Sequence, residues 1–177
     1  MLVIREVWEK PMAGTIIPQR MTTEIDGDFV VFLIGMRINK PWKIQAWWPV
    51  FRAMRPMLKE LDAYPNLGCL GYTFGWPVTV QYWRSFDHLE TYAKSRDHRH
   101  FPAWQKFNKA VGQARGNVGI WHETFGIRAG SYETIYSGMP PFGLGKAARL
   151  VPASGSRETA RQRMTGYAEP AGGGSGG

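Results

Sequence analysis

The densest apolar run of the chain lies at residues 29–38, interrupted only by Gly35 and Arg37. Ten residues are too few to cross a bilayer as a helix, and the β-branched and aromatic content predicts a buried strand. Val30, Phe32, Ile34, Met36 and Ile38 share one face, and Phe29, Val31, Leu33, Gly35, Arg37 and Asn39 share the other. A strand apolar on both faces belongs at the centre of a sheet that is covered on both sides. Only Arg37 and Asn39 turn the second face polar, at its end. Arg37 either reaches solvent there or marks a pocket.

The period then changes. From Trp42 to Tyr64, the residues Ile44, Trp47, Trp48, Phe51, Met54, Leu58 and Leu61 recur at three and four, which predicts a helix with a wide apolar stripe. Pro49 and Pro56 each remove a backbone donor, so a kink or break is expected near Trp48 and Arg55. The stripe reads as core, with a cleft opened by a broken helix as the alternative. Residues 66–74 and 77–84 predict two strands joined across Gly75-Trp76-Pro77. In the second, Val78, Val80, Tyr82 and Arg84 alternate with Thr79, Gln81 and Trp83. Ser85 is placed to cap a short helix carrying Phe86, Leu89, Tyr92 and Ala93, with Asp87 in its first turn. Pro102 opens another helix, with Trp104, Phe107, Asn108 and Val111 on one face. Asn108 is an amide on an otherwise apolar stripe, and either ties a loop backbone or meets a ligand. Residues 118–128 predict a further strand, with Val118, Ile120, His122 and Thr124 pointing one way and Trp121, Glu123, Phe125 and Ile127 the other. Residues 131–136 predict a short edge strand, and the glycine-rich 139–146 a covering loop.

Strand, helix, two-stranded hairpin, helices and strand is the α+β, ferredoxin-like βαββαβ order. A lone sheet of this plan would expose Phe29, Val31 and Leu33, so a second copy packed sheet on sheet is expected. The boundaries read as an N-terminal arm (1–27, with Val3, Ile4, Val7 and Trp8 on one turn), the domain (28–137), a covering loop and basic tail (138–169) and a Gly/Ser linker (170–177).

Composition narrows the function classes. One cysteine, Cys69, excludes an internal disulfide and gives no metal-ligand spacing. No signal peptide or membrane span is evident, which predicts a cytoplasmic protein. The net charge of +8 is dispersed: residues 146–163 hold five cations against Glu158, and residues 28–145 hold 14 cations against 8 acids across several elements. No nucleic-acid motif accompanies it, so no nucleic-acid partner is expected. Eight tryptophans suit a core or an apolar pocket.

Five segments, Gly35-Met-Arg-Ile-Asn39 running into Lys40-Pro41-Trp42, Gln81-Tyr-Trp-Arg-Ser-Phe86, His100-Phe-Pro-Ala-Trp104, Gly119-Ile-Trp-His-Glu-Thr124 and Met139-Pro-Pro-Phe-Gly-Leu-Gly145, resemble a family of small monooxygenase-like proteins. They are similar to the antibiotic-biosynthesis-type monooxygenase of the fumagillin pathway, over about residues 24–155. The resemblance implies a dimeric α+β barrel; more distant proteins of that superfamily bind haem, among them aldoxime dehydratases, chlorite dismutases and dye peroxidases. It assigns no catalytic residue, so the following roles come from the residues themselves.

Three functions fit. The first is a cofactor-independent monooxygenase acting with dioxygen on a small apolar, aromatic or polyene, substrate. His122 would be its base, Arg37 or Asn108 would hold the developing oxyanion, and Tyr82, Trp83, Trp104, Phe32 and Met36 would form the walls. The second is a haem enzyme with His122 or His100 as axial ligand. The third is a non-catalytic binder of a small apolar ligand. A histidine within an apolar strand is also often a core group tied to a carbonyl or carboxylate. Its neighbours Val118 and Ile120 predict a shielded ring.

Overall fold

The computed structural model of the chain describes residues 14–94 and 102–166, the side chains of 102–104 excepted. In chain order the elements are β1 (Ile17–Glu24), β2 (Phe29–Ile38), α1 (Ile44–Ala63), β3 (Cys69–Thr73), β4 (Val78–Trp83), α2 (Phe86–Lys94), α3 (Pro102–Gln113), β5 (Val118–Ile127), β6 (Tyr136–Met139), α4 (Leu144–Ala147), β7 (Arg149–Pro152) and α5 (Ala160–Arg163). They divide into two compact units, one of residues 26–129 and one of residues 1–25 with 130–177.

The larger unit is the ferredoxin-like fold. Its four strands are antiparallel in the order β3-β4-β2-β5, with β2 at the centre as its two apolar faces require. Val30, Ile34 and Met36 of β2 pack with Trp83, with Val50, Ala53, Met57, Leu58 and Leu61 of α1, with Leu89 and Tyr92 of α2, and with Phe107 of α3. The register places Trp83 beside Val30, Gln81 beside Phe32 and Thr79 beside Ile34. The more polar face of β4 is therefore the buried one. It is tolerated because Gln81 Oε1 accepts a 2.9 Å bond from Trp83 Nε1 inside the core.

Two helix expectations change. α1 runs unbroken through Pro49 and Pro56, both on its exposed side, because tertiary packing of the opposite side outweighs two missing backbone bonds. Its core face also centres on Val50, Ala53, Met57 and Leu61, which leaves Ile44 and Trp48 exposed. Ser85 does cap α2: its Oγ accepts from the His88 backbone N–H at 3.3 Å. Phe86 and Ala93, however, point outward, and only Leu89 and Tyr92 are buried. Gly68, at φ +85°, ends the 3₁₀ turn Pro65–Leu67; a Cβ there would sit 2.4 Å from the His88 ring, so only glycine fits.

The second unit holds a three-stranded antiparallel sheet, β6-β1-β7. Part of the N-terminal arm is thus a central strand. Tyr136–Met139, read as the end of one domain and the start of a loop, pairs with β1 rather than with the larger sheet. Thr134 ties the unit together: its Oγ1 is 2.8 Å from Thr23 Oγ1 and 3.2 Å from Thr22 Oγ1, and it accepts from the Thr23 N–H at 2.9 Å. The basic tail is also folded as far as Gly166. Glu24 pairs with Arg149 and Arg157, and Glu133 with Arg163, whose guanidinium also donates to the carbonyls of Arg157 and Glu158 at 2.8 Å. Val3, Ile4, Val7, Trp8 and the linker 170–177 lie outside the described residues.

Candidate functional site

Within the larger unit a cavity opens between α1, the β3–β4 loop and the helix-covered face of the sheet. The space between these walls and the open solvent at its mouth together amount to about 360 Å³. The floor is Ile34 and Met36 of β2, Thr79 of β4 and Ile120 of β5; Val50, Phe51 and Met54 of α1 and Phe107 of α3 form the walls. Phe74, Gly75, Trp76 and Pro77 close one side, and the Met36 backbone N–H fixes this loop by donating to the Pro77 carbonyl at 3.1 Å. The Thr79 hydroxyl and the Trp76 indole N–H are the polar side-chain groups in the lining, which holds no charged side chain.

The mouth is aromatic. Trp48 stacks on Phe51 at 5.7 Å between centroids, Phe51 meets Trp76 edge-on at 5.7 Å, and Trp47 meets Trp48 edge-on at 5.9 Å. The Arg55 guanidinium lies 5.6 Å from the centre of the Phe74 ring.

The residues expected from the sequence scatter relative to this cavity. Met36 lines it. His122 is on the same sheet face, opposite Ile34 and two positions beyond Ile120, with its ring 5.5 Å from that of Phe32. The expected shielding of His122 is absent: β5 is an edge strand, and the ring is exposed where the helices no longer cover it. Trp83 is wholly buried core rather than a wall. Arg37 and Tyr82 point to the opposite face, so within one chain neither converges with His122. Asn108 is exposed on α3, and so leaves no buried amide to satisfy. His100 and the Trp104 side chain lie outside the described residues.

Phe51, Met54, Phe74, Trp76, Thr79 and Phe107 were missed as site residues. The stripe of α1 could be counted from the sequence, but not which of its edges met the sheet. Trp76 carried a signal, being a large aromatic in a turn where nothing local buries it.

Two further titratable groups sit in the same unit. Burial pushes the Cys69 thiol up to about 11. Burial and the negative Glu60 push the Tyr92 phenol upward; its hydroxyl donates to Glu60 Oε1 at 3.1 Å in the core. Among the described residues no three His, Cys, Asp or Glu side chains gather to hold a metal ion, and no helix is long and apolar enough to cross a membrane.

Comparison with known proteins adds the family. No curated protein matches the chain. One solved structure, of a conserved Bacteroides thetaiotaomicron protein described as of unknown function and a possible oxidoreductase, aligns over 58% of this chain and all of its own, at 16% identity and a TM-score of 0.34. So weak a likeness shows neither shared fold nor shared function. The family model described as Monooxygenase af470-like matches residues 29–144, which take in β2 through the first residue of α4 and every residue lining the cavity. With about two thirds of its length matched, the chain belongs to the monooxygenase af470-like family.

Proposed function

We propose that the chain oxidises a small, uncharged aromatic or polyene substrate with dioxygen in the cavity between α1 and the sheet, without a bound cofactor. The observation that carries this reading is the lining, apolar but for the hydroxyl of Thr79 and the indole N–H of Trp76. Such a site favours an apolar ligand by removing its surface from water, and it solvates no charged one. Family membership supports oxygenation as the reaction class.

His122 is the group we assign to proton removal. It pairs with Ile34 across the strands and lies two positions beyond Ile120 on the same face, and both of these neighbours line the cavity. An activated CH₂ of the substrate gives up a proton to the imidazole. The carbanion passes one electron to dioxygen, and the radical pair couples to a peroxide. Return of the proton and loss of water leave a carbonyl. One oxygen atom enters the product and the other leaves as water, so R₂CH₂ and O₂ give R₂C=O and H₂O with no outside reductant. Haem is less well suited to this cavity. The described lining offers it no histidine, cysteine or tyrosine, and Met36 and Met54 are its only sulfur donors.

We also propose that the chain works as a homodimer joined through the opposite sheet face. Val31, Leu33 and Val80 there are half-buried, while Trp121 and Phe125 are exposed. Arg37 and Tyr82 would then serve that interface rather than the oxyanion.

The test is oxygen uptake with a panel of aromatic compounds carrying an acidified CH₂, with ¹⁸O₂ followed into product. One labelled atom per carbonyl is expected, insensitive to chelator. His122→Ala should lower turnover by about 10²–10⁴ with an unchanged melting temperature. Unchanged turnover would remove His122 from the mechanism, and a haem absorption band in the purified protein would overturn the cofactor-free reading.

A further inference from the structure

The exposed side of α1, next to the loop that closes the cavity, forms a surface that the catalytic reading leaves unused. Trp42 is 74% exposed, Ile44 and Trp76 58%, and Trp48 44%. Single exposed hydrophobes are ordinary, but here Trp48, Phe51 and Trp76 are in ring contact, at the mouth of the cavity. Along α1 the exposed line continues from Ile44 and Trp48 to Arg52, Arg55 and Lys59, at spacings of three and four.

Charge points to the occupant. Residues 29–59 contain six cations, Arg37, Lys40, Lys43, Arg52, Arg55 and Lys59, and no acid. All six are exposed. Glu60 just beyond is buried against Tyr92, and Asp62 is bonded to the Tyr72 hydroxyl. In the second unit, by contrast, Arg149, Arg157 and Arg163 are held by Glu24 and Glu133. Among the described residues no such ion pair occupies the α1 cations.

We propose that this surface docks on an anionic lipid membrane, with Trp42, Ile44, Trp48 and Trp76 in the headgroup–acyl boundary and Lys40, Lys43, Arg52 and Lys59 against lipid phosphates. Tryptophan favours that boundary because its ring is apolar and its N–H polar, and each nearby cation adds attraction to an anionic leaflet. The contact is peripheral and needs no spanning helix. It brings the open mouth of the cavity to the bilayer, where apolar molecules concentrate. Uptake of substrate from lipid rests on the proposed function; docking does not, and its test involves no turnover.

The full chain is spun with vesicles of phosphatidylcholine alone and of phosphatidylcholine with phosphatidylglycerol, and tryptophan quenching by brominated lipid is read on the same samples. Binding to the anionic vesicles, weakened by salt, with quenching, is expected. Arg52→Glu/Lys59→Glu should bind about tenfold or more weakly. Trp42→Ala/Ile44→Ser should lose most of the quenching, and both variants should melt as the parent does. No binding of the parent to anionic vesicles would overturn the proposal and leave a protein partner as the occupant of the surface. Binding kept by both variants would also overturn it, placing the attraction elsewhere on the chain.

Discussion

Cys69 shows how a half-buried group writes itself into the pH dependence of the fold. Its thiol is raised by burial from 9.0 to about 11. A group that holds its proton more tightly when folded contributes fully below its unfolded value, and the contribution is lost as pH rises through the folded one. Stability is therefore expected to fall from pH 9 towards 11, and burial of Tyr72, Tyr92 and Tyr136, all raised in the same direction, should prolong the fall above pH 10. Melting curves of the parent and Cys69→Ser across this range test it. A smaller loss between pH 9 and 10 is expected for the serine variant, and identical slopes would count against burial of the thiol. Gly35 makes a different point. A Cβ there would lie 2.4 Å from the Trp121 ring, so the glycine exists to let an indole lie flat across the central strand.

At the scale of elements, the lesson is in α5 and the 3₁₀ turn before it. Their sequence is poor in apolar residues, and reads as a tail. The fold holds them through charge: Arg157 to Glu24, Arg163 to Glu133, and a capping box in which Thr159 and Gln162 bond each other's backbone. The Arg163 side chain is only 7% exposed. Removing residues 156–177 leaves Glu133 without this partner, and a melting temperature lower by several degrees is expected. A truncated chain that melts like the parent would mean that these pairs contribute nothing measurable, as many surface pairs do.

For the whole molecule, the decisive question is what meets the second face of the four-stranded sheet. Phe125 is 46% exposed and Trp121 37%, on a strand whose outer side has no neighbour in its sheet among the described residues. A sheet packed on its copy would bury them at a spacing of about 10 Å. Light scattering at micromolar concentration should give twice the chain mass. Leu33→Lys should give a folded monomer, since it would place an unpaired charge in the joint. A parent that scatters as a monomer would remove the dimer.

The ferredoxin-like order was legible in the sequence because period is a local property. Residues 29–38 form one short apolar run rich in β-branched residues, α1 recurs at three and four, and Ser85 caps its helix with its own side chain. Other features depended on distant residues. Which edge of the α1 stripe faces the sheet decided that Val50, Ala53 and Met57 are core, that Phe51 and Met54 line a cavity, and that Trp48 faces out. No count along the helix contains that choice, because several rotations of a wide stripe bury similar apolar area. His122 looked shielded because its neighbours in sequence are apolar, and it is exposed because β5 is the last strand of its sheet. The N-terminal arm became a central strand only because Tyr136–Met139 and Arg149–Pro152, more than a hundred residues later, supply its hydrogen-bond partners. Sequence determined which residues could be helix, strand or turn; tertiary structure decided which of their faces met, because burial and pairing are properties of two segments and not of one.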